Sequence, residues 1–258
     1  MAQVAAAVTN KPAWVDLATT DAEAARDFYS KLFGWGLEVS EDPQYGGYAT
    51  AKLDDKSVAG IGPKQEGDPS PTAWSLYIGT EDIDALAKKI QDAGGSVAAP
   101  PFDVGDQGRM AVFADPSGAY ISGWQAAAMS QFVAGVPDAF GWAELNARGL
   151  EPAVAFYETV FGWTHTTSPI GDGLEYTEFE HDGQSIAGAL EMDPQISAET
   201  PSYWLVYFTV DDVDARFERA IALGGSELVA PQDMPGGRFA IVSDPQGAAF
   251  GILNLQEQ

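Results

Sequence analysis

Trp14-Val15-Asp16-Leu17 and Trp142-Ala143-Glu144-Leu145 each set an indole and a carboxylate two residues apart within a short apolar run. In a β-strand, side chains two apart share a face. Trp14 therefore joins Asp16, and Trp142 joins Glu144 and Asn146, whereas the first run has Ala18 in place of Asn146. A carboxylate on an enclosed face attracts a cation, acts as a general base or ligates a metal. An indole beside it offers a flat π-face and one N–H donor at its edge. The structural alternatives are a carboxylate bonded to a neighbouring strand or set at a solvated rim, and tryptophans that simply fill a core.

Trp74 and Trp204 form a further pair open to the same two readings, while Trp35 and Trp163, each closing a Phe-Gly-Trp run, read as core packing. His165 and His181 read as surface residues, with Leu37 and Leu53 at the matching places 128 residues earlier. Arg109 and Arg238 each open a strand and read as loop anchors. The chain has no Walker loop, no G-x-G-x-x-G after a strand, no G-x-S-x-G and no H-E-x-x-H, which leaves nucleotide and serine-hydrolase chemistry unsupported.

The elements that must position these residues come in two copies. Phe28-Tyr29 with Leu32-Phe33-Gly34-Trp35 recurs 128 residues on as Phe156-Tyr157 with Val160-Phe161-Gly162-Trp163. Tyr48 matches Tyr176, and Ser57-Val58-Ala59-Gly60 matches Ser185-Ile186-Ala187-Gly188. Asp115-Pro116-Ser117-Gly118 returns as Asp244-Pro245-Gln246-Gly247, after Gly108-Arg109 and Gly237-Arg238. The chain is read as a tandem duplication, with domains at 10–126 and 138–256 joined by an Ala/Gly-rich linker. Each copy reads as strand, helix, hairpin, strand, helix and final strands. Thr20 with Glu23 predicts a capping box for the first helix, and Asp54-Asp55 and Asp182-Gly183 predict tight hairpin turns. This is an α+β fold of paired βαβββ units.

Composition narrows the function. The 258 residues include no Cys, which removes disulfides and thiolate chemistry, and only two His, which disfavours a multi-His metal site. A net charge of −25 with no basic cluster argues against nucleic acid, and no apolar run is long enough for a membrane span. The opening residues lack a basic and apolar leader, so the expectation is a cytoplasmic protein with no nucleic-acid and no membrane partner. Acidity is uneven: residues beyond 128 hold 20 of the 38 Asp+Glu but 4 of the 13 Lys+Arg.

The x-x-F-Y-x-x-x-x-F-G-W and D-P-x-G-A-x-F patterns resemble the vicinal oxygen chelate superfamily, which includes glyoxalase I, bleomycin-resistance proteins, fosfomycin-resistance enzymes and extradiol dioxygenases. The two-copy length looks most like an actinobacterial glyoxalase-like or hydroxylase group. The resemblance implies curved sheets forming cups, each with a divalent metal held by His, Glu or Gln from four strand positions. Carried over, those positions fall on Trp14 and Trp142, on Trp74 and Trp204, on Ser122 and Gly251, and near Thr50 or Lys52 and Glu178 or Glu180. Trp cannot ligate a cation and Ser is a poor ligand, so the family's metal chemistry reads as replaced.

The expected ligand-binding residues are therefore Trp14, Asp16, Trp74, Ser122, Trp142, Glu144, Asn146, Glu178 and Trp204, with no catalytic residue assigned. No metal and no cofactor are expected, a divalent ion being admitted only through a geometry outside the family's. The expected function is recognition of a small aromatic or cationic molecule in Trp-lined cups, as in a resistance or sequestration protein. The alternatives are a glyoxalase-like lyase or an oxygenase/hydroxylase with a divergent acidic site, and an interaction module whose cups are filled by side chains. A monomer or homodimer is compatible with the duplication.

Overall fold

The computed structural model describes residues 9–255 apart from 66, 129–131 and 172. The first copy runs β1 (Pro12–Thr19), α1 (Ala22–Phe33), β2 (Gly36–Val39), β3 (Ala49–Leu53), β4 (Lys56–Pro63), β5 (Ala73–Gly79), α2 (Ile83–Asp92), β6 (Ser96–Val104), β7 (Gly108–Ala114) and β8 (Tyr120–Ala126). The second repeats it as β9 (Phe140–Ala147), α3 (Leu150–Phe161), β10 (Thr164–Gly171), β11 (Leu174–His181), β12 (Gln184–Glu191), β13 (Tyr203–Thr209), α4 (Val213–Ala222), β14 (Ser226–Met234), β15 (Gly237–Ser243) and β16 (Ala249–Leu255). The fold is α+β. No helix among the described residues is long and apolar enough to cross a membrane.

Local chemistry accounts for the element ends. The first helix is capped by Asp21, whose side chain accepts from the Ala24 N–H at 3.0 Å, rather than by Thr20. The β3–β4 hairpin turns on Asp54 and Asp55, both at positive φ, and β11–β12 turns on Asp182 and Gly183 in the same way, as two-residue hairpin loops require.

Each copy supplies one whole eight-stranded sheet, in the order β2-β3-β4-β1-β5-β8-β7-β6 and its counterpart β10-β11-β12-β9-β13-β16-β15-β14. The two βαβββ halves meet where β1 pairs antiparallel with β5, so each cup is built within one copy. Along β1 every second residue is buried: Val15 and Leu17 face the helices, while Trp14, Asp16 and Ala18 face the opposite side, where they are half-buried.

The two copies share one continuous core on the helix side of both sheets. Its polar fasteners are reciprocal. The Tyr29 hydroxyl of α1 donates to Asp244 Oδ2 at 3.1 Å, and the Tyr157 hydroxyl of α3 donates to Asp115 Oδ2 at 2.9 Å. The other oxygen, Oδ1, of each aspartate accepts backbone N–H groups of its own Asp-Pro-x-Gly turn, from Ser117 and Ala119 or from Gln246 and Ala248. Trp35 Nε1 donates to the Asp138 carbonyl and Trp163 Nε1 to the Asn10 carbonyl, both at 2.7 Å. The repeated Tyr and Asp motifs thus clasp one copy to the other.

Candidate functional site

The open face of the first sheet carries a cluster centred on Asp16. Tyr77 and Tyr48 both donate to its Oδ2, at 3.0 and 3.4 Å, and Trp14 Nε1 donates to the Tyr48 hydroxyl at 2.9 Å. Tyr48 lies so close over β4 that a Cβ on Gly60 would stand 1.7 Å from its oxygen, which explains the glycine there. Ser122 pairs in register with Tyr77 and is buried beside it. Burial drives the half-buried Asp16 carboxyl up from the ordinary 3.8 to about 7, against the lowering effect of the two tyrosine donors.

The second cup repeats the arrangement with different furniture. Glu144 Oε1 accepts from Asn146 Nδ2 at 3.2 Å and from the Tyr207 hydroxyl at 3.3 Å, and Trp142 Nε1 donates to the Tyr176 hydroxyl at 2.8 Å. Burial raises the Glu144 carboxyl, opposed by its Asn146, Tyr207 and Tyr176 donors. The half-buried Trp142, Tyr203, Phe239 and Ile241 pack around Leu205, Tyr207 and Leu253 as an apolar cluster separate from the main core. Glu178 shares the open face: it is paired with Gly188, which is in turn paired with Glu144, placing it two strands or about 10 Å away. It accepts a hydrogen bond from Ser185 Oγ.

Trp14, Asp16 and Ser122 therefore meet in one cup, and Trp142, Glu144, Asn146 and Glu178 in the other. Trp74 and Trp204 join neither, a correction to the expected ligand-binding set. Trp74 pairs in register with Leu17 and Trp204 with Leu145, which puts both indoles on the helix side of the sheets. There Trp74 Nε1 donates to the Tyr29 hydroxyl at 2.9 Å and Trp204 Nε1 to the Tyr157 hydroxyl at 2.8 Å, extending the clasp between copies. The hydroxyls that β5 and β13 bring to the two carboxylates are those of Tyr77 and Tyr207, which motif reading passed over. Alternation from Trp74 carried the signal, because Tyr77 lies an odd number of residues away, on the other face.

The remaining candidates lie outside the cups. Arg109 pairs with Asp84 and Asp103, and Arg238 with Asp214 and Asp233, as strand-to-helix anchors. His165 sits 2.8 Å from Glu158, and His181 lies 3.6 Å from Asp182 at its hairpin.

Comparison with known proteins agrees with this architecture. Residues 11–122 and 139–252 match the Glyoxalase/Bleomycin resistance protein/Dioxygenase superfamily. The chain is 41% identical over 252 residues to "Putative glyoxylase CFP32" of Mycobacterium tuberculosis (strain CDC 1551 / Oshkosh), covering 96% of this chain and 95% of that one. It is 39% identical over 263 residues to "Anthracycline biosynthesis protein DnrV" of Streptomyces peucetius, covering 95% and 94%. Among solved structures, the Mn(II)-bound glyoxalase from Novosphingobium aromaticivorans superposes with a TM-score of 0.67 at 19% identity, over 97% of this chain and 83% of that chain.

That structure corrects the expectation of no cofactor, for a protein of this fold is Mn(II)-bound; the absence of a cofactor is withdrawn as an expectation. The residues present nevertheless do not fit the four-ligand arrangement. Among the described residues, no group of three or more His, Cys, Asp or Glu could hold a metal ion. At the position of the family's last ligand, a Cβ on Gly251 would lie 1.9 Å from the Tyr207 ring, so an aromatic side chain already fills that space. What the cups do offer is a carboxylate held by neutral donors, Asp16 in the first and Glu144 in the second, with Glu178 two strands from Glu144.

Proposed function

The chain belongs to the Glyoxalase/Bleomycin resistance protein/Dioxygenase superfamily, and from that premise we propose that its second cup binds a flat, hydroxyl-bearing aromatic molecule. The observation that carries this reading is the half-buried carboxylate of Glu144, held by Asn146 and Tyr207 beside an apolar aromatic wall. Its Oε1 accepts from both Asn146 and Tyr207, and the two oxygens of a carboxylate hold further lone pairs that a ligand hydroxyl can bond. Trp142, Tyr203 and Phe239 supply the ring faces against which a planar ligand packs. The Streptomyces peucetius relative is named for anthracycline biosynthesis, and an anthracycline is a fused-ring aromatic of this kind.

The probe is 1,2-dihydroxyanthraquinone, titrated against the intrinsic tryptophan fluorescence of the full chain. Glu144→Gln is expected to weaken binding about tenfold, the worth of one hydrogen bond to a charged acceptor. Trp142→Ala is expected to weaken it by a similar factor through loss of ring contact. Unchanged affinity in both folded variants would refute the reading.

A second reading, enzymatic rather than sequestering, is favoured by the raised proton affinity of both cup carboxylates. Such a group removes a proton from a bound carbon or phenol acid more readily than a solvated carboxylate does. Incubation of a hydroxyketone probe in D₂O separates the two: deuterium entering the carbon beside the carbonyl, lost in Glu144→Gln, marks proton transfer, and its absence leaves binding alone.

A further inference from the structure

We propose that the first cup is a second binding site of different selectivity, taking an organic ammonium ion against Asp16. This does not rest on the reading of the second cup. The two cups differ beside the carboxylate. In the second, the Asn146 amide donates an N–H to Glu144 at 3.2 Å, and the register neighbours of Asn146 on β13 and β12 are Tyr203 and Leu190. In the first, the matching residue is Ala18, whose register neighbours on β5 and β4 are Ala73 and Gly62. No side chain at those three positions carries a donor.

Asp16 is consequently held by neutral groups alone. The titratable groups facing it are Tyr48, just before β3, and Tyr77 from β5, and both donate to the same oxygen, Oδ2. β4 presents Gly60 and β5 presents Ser75 at the register positions of Asp16, and β8 presents Ser122 beside Tyr77. No Lys, Arg or His among the described residues makes an ion pair with Asp16. A half-buried carboxylate without a cationic or N–H partner is poorly compensated for its lost hydration. A ligand ammonium supplies both the charge and the N–H donors that Asn146 gives in part to the second cup. Aromatic side chains lie beside Asp16: Tyr48 and Tyr77 bond it directly, and Trp14 is tied to Tyr48. Cations are stabilised against such faces.

Charge balance fixes the pH dependence. The ammonium pairs with the ionised carboxylate, so binding releases the proton that a neutral Asp16 would hold, and affinity strengthens as the pH rises through the titration of Asp16 and then levels. The probe is benzylammonium, titrated calorimetrically into the full chain between pH 6 and pH 8, with benzyl alcohol as the neutral comparison. Binding at one site is expected, tighter at pH 8 than at pH 6 and at least tenfold tighter than benzyl alcohol. Asp16→Asn is expected to weaken it at least tenfold. Ala18→Asn, which gives the first cup the internal donor of the second, is expected to weaken it about fivefold, while Glu144→Gln leaves it unchanged. Equal binding of benzyl alcohol, or unaltered affinity in both Asp16→Asn and Ala18→Asn, overturns the proposal, as does loss of binding in Glu144→Gln alone.

Discussion

Trp204→Ala is expected to lower the unfolding free energy by about 3–5 kcal/mol, the range for truncating a large buried aromatic, while leaving 1,2-dihydroxyanthraquinone affinity of the folded protein unchanged. Trp204 is 6% exposed, and its ring meets Tyr157 at 5.3 Å and Trp163 at 6.5 Å, both edge-on. Removing the indole opens a cavity between the two sheets and takes away the N–H that the Tyr157 oxygen accepts. Tyr157 is in turn the donor to Asp115 of the other copy, so the damage falls on the joint between copies rather than on a cup. Urea unfolding followed by tryptophan fluorescence and by far-UV circular dichroism provides the measurement. A loss of stability with intact ligand affinity is the expected pair of results. Lost affinity without a shift in the unfolding midpoint would return Trp204 to the ligand-binding set.

That prediction turns on a distinction the amino-acid sequence carried only in part. The duplication was legible because its motifs recur in order, and the hairpins because Asp-Asp and Asp-Gly pairs suit the positive φ values that two-residue turns need. Asp16 and Glu144 were legible because alternation along a strand is a local rule. The placement of Trp74 and Trp204 was not, since the face each occupies depends on pairing with Leu17 and Leu145 across strands brought together only in the fold. The same limit hid the purpose of the Phe-Tyr and Asp-Pro-x-Gly motifs. Each reads as a feature of its own copy, yet Tyr29 finds Asp244 and Tyr157 finds Asp115 across the duplication. Tyr77 and Tyr207 escaped notice for a simpler reason: a tyrosine in an apolar strand looks like core until a buried carboxylate is found beneath its hydroxyl.

Asp16→Asn is expected to stabilise the protein by up to about 4 kcal/mol at pH 8, and the gain should shrink as the pH falls. The carboxyl titrates near 7 in the folded chain, against an ordinary value of 3.8 for an exposed aspartate in the unfolded chain. Each unit of that difference corresponds to about 1.4 kcal/mol. Because the folded value is the higher one, the folded state holds the proton more tightly, and wild-type stability falls with rising pH between about 4 and 7. Below that window both states are protonated and the burial of Asp16 carries no ionic penalty. Above it both are ionised and the penalty is complete and constant. Asparagine keeps an oxygen for the Tyr48 and Tyr77 hydroxyls but never ionises, so the variant lacks this pH-dependent loss. Glu144, Asp138 and Asp244 are also raised by burial and contribute slopes of the same sign, but these are common to both proteins and cancel in the difference. Urea unfolding of both proteins at pH 5 and pH 8 is therefore the comparison to make, with the stabilisation expected to grow by about 2–3 kcal/mol across that interval. A difference independent of pH would mean that Asp16 ionises in the folded chain as freely as in water. Its tyrosine donors would then offset its burial, and the first cup would lack the uncompensated carboxylate on which its proposed recognition of ammonium ions depends.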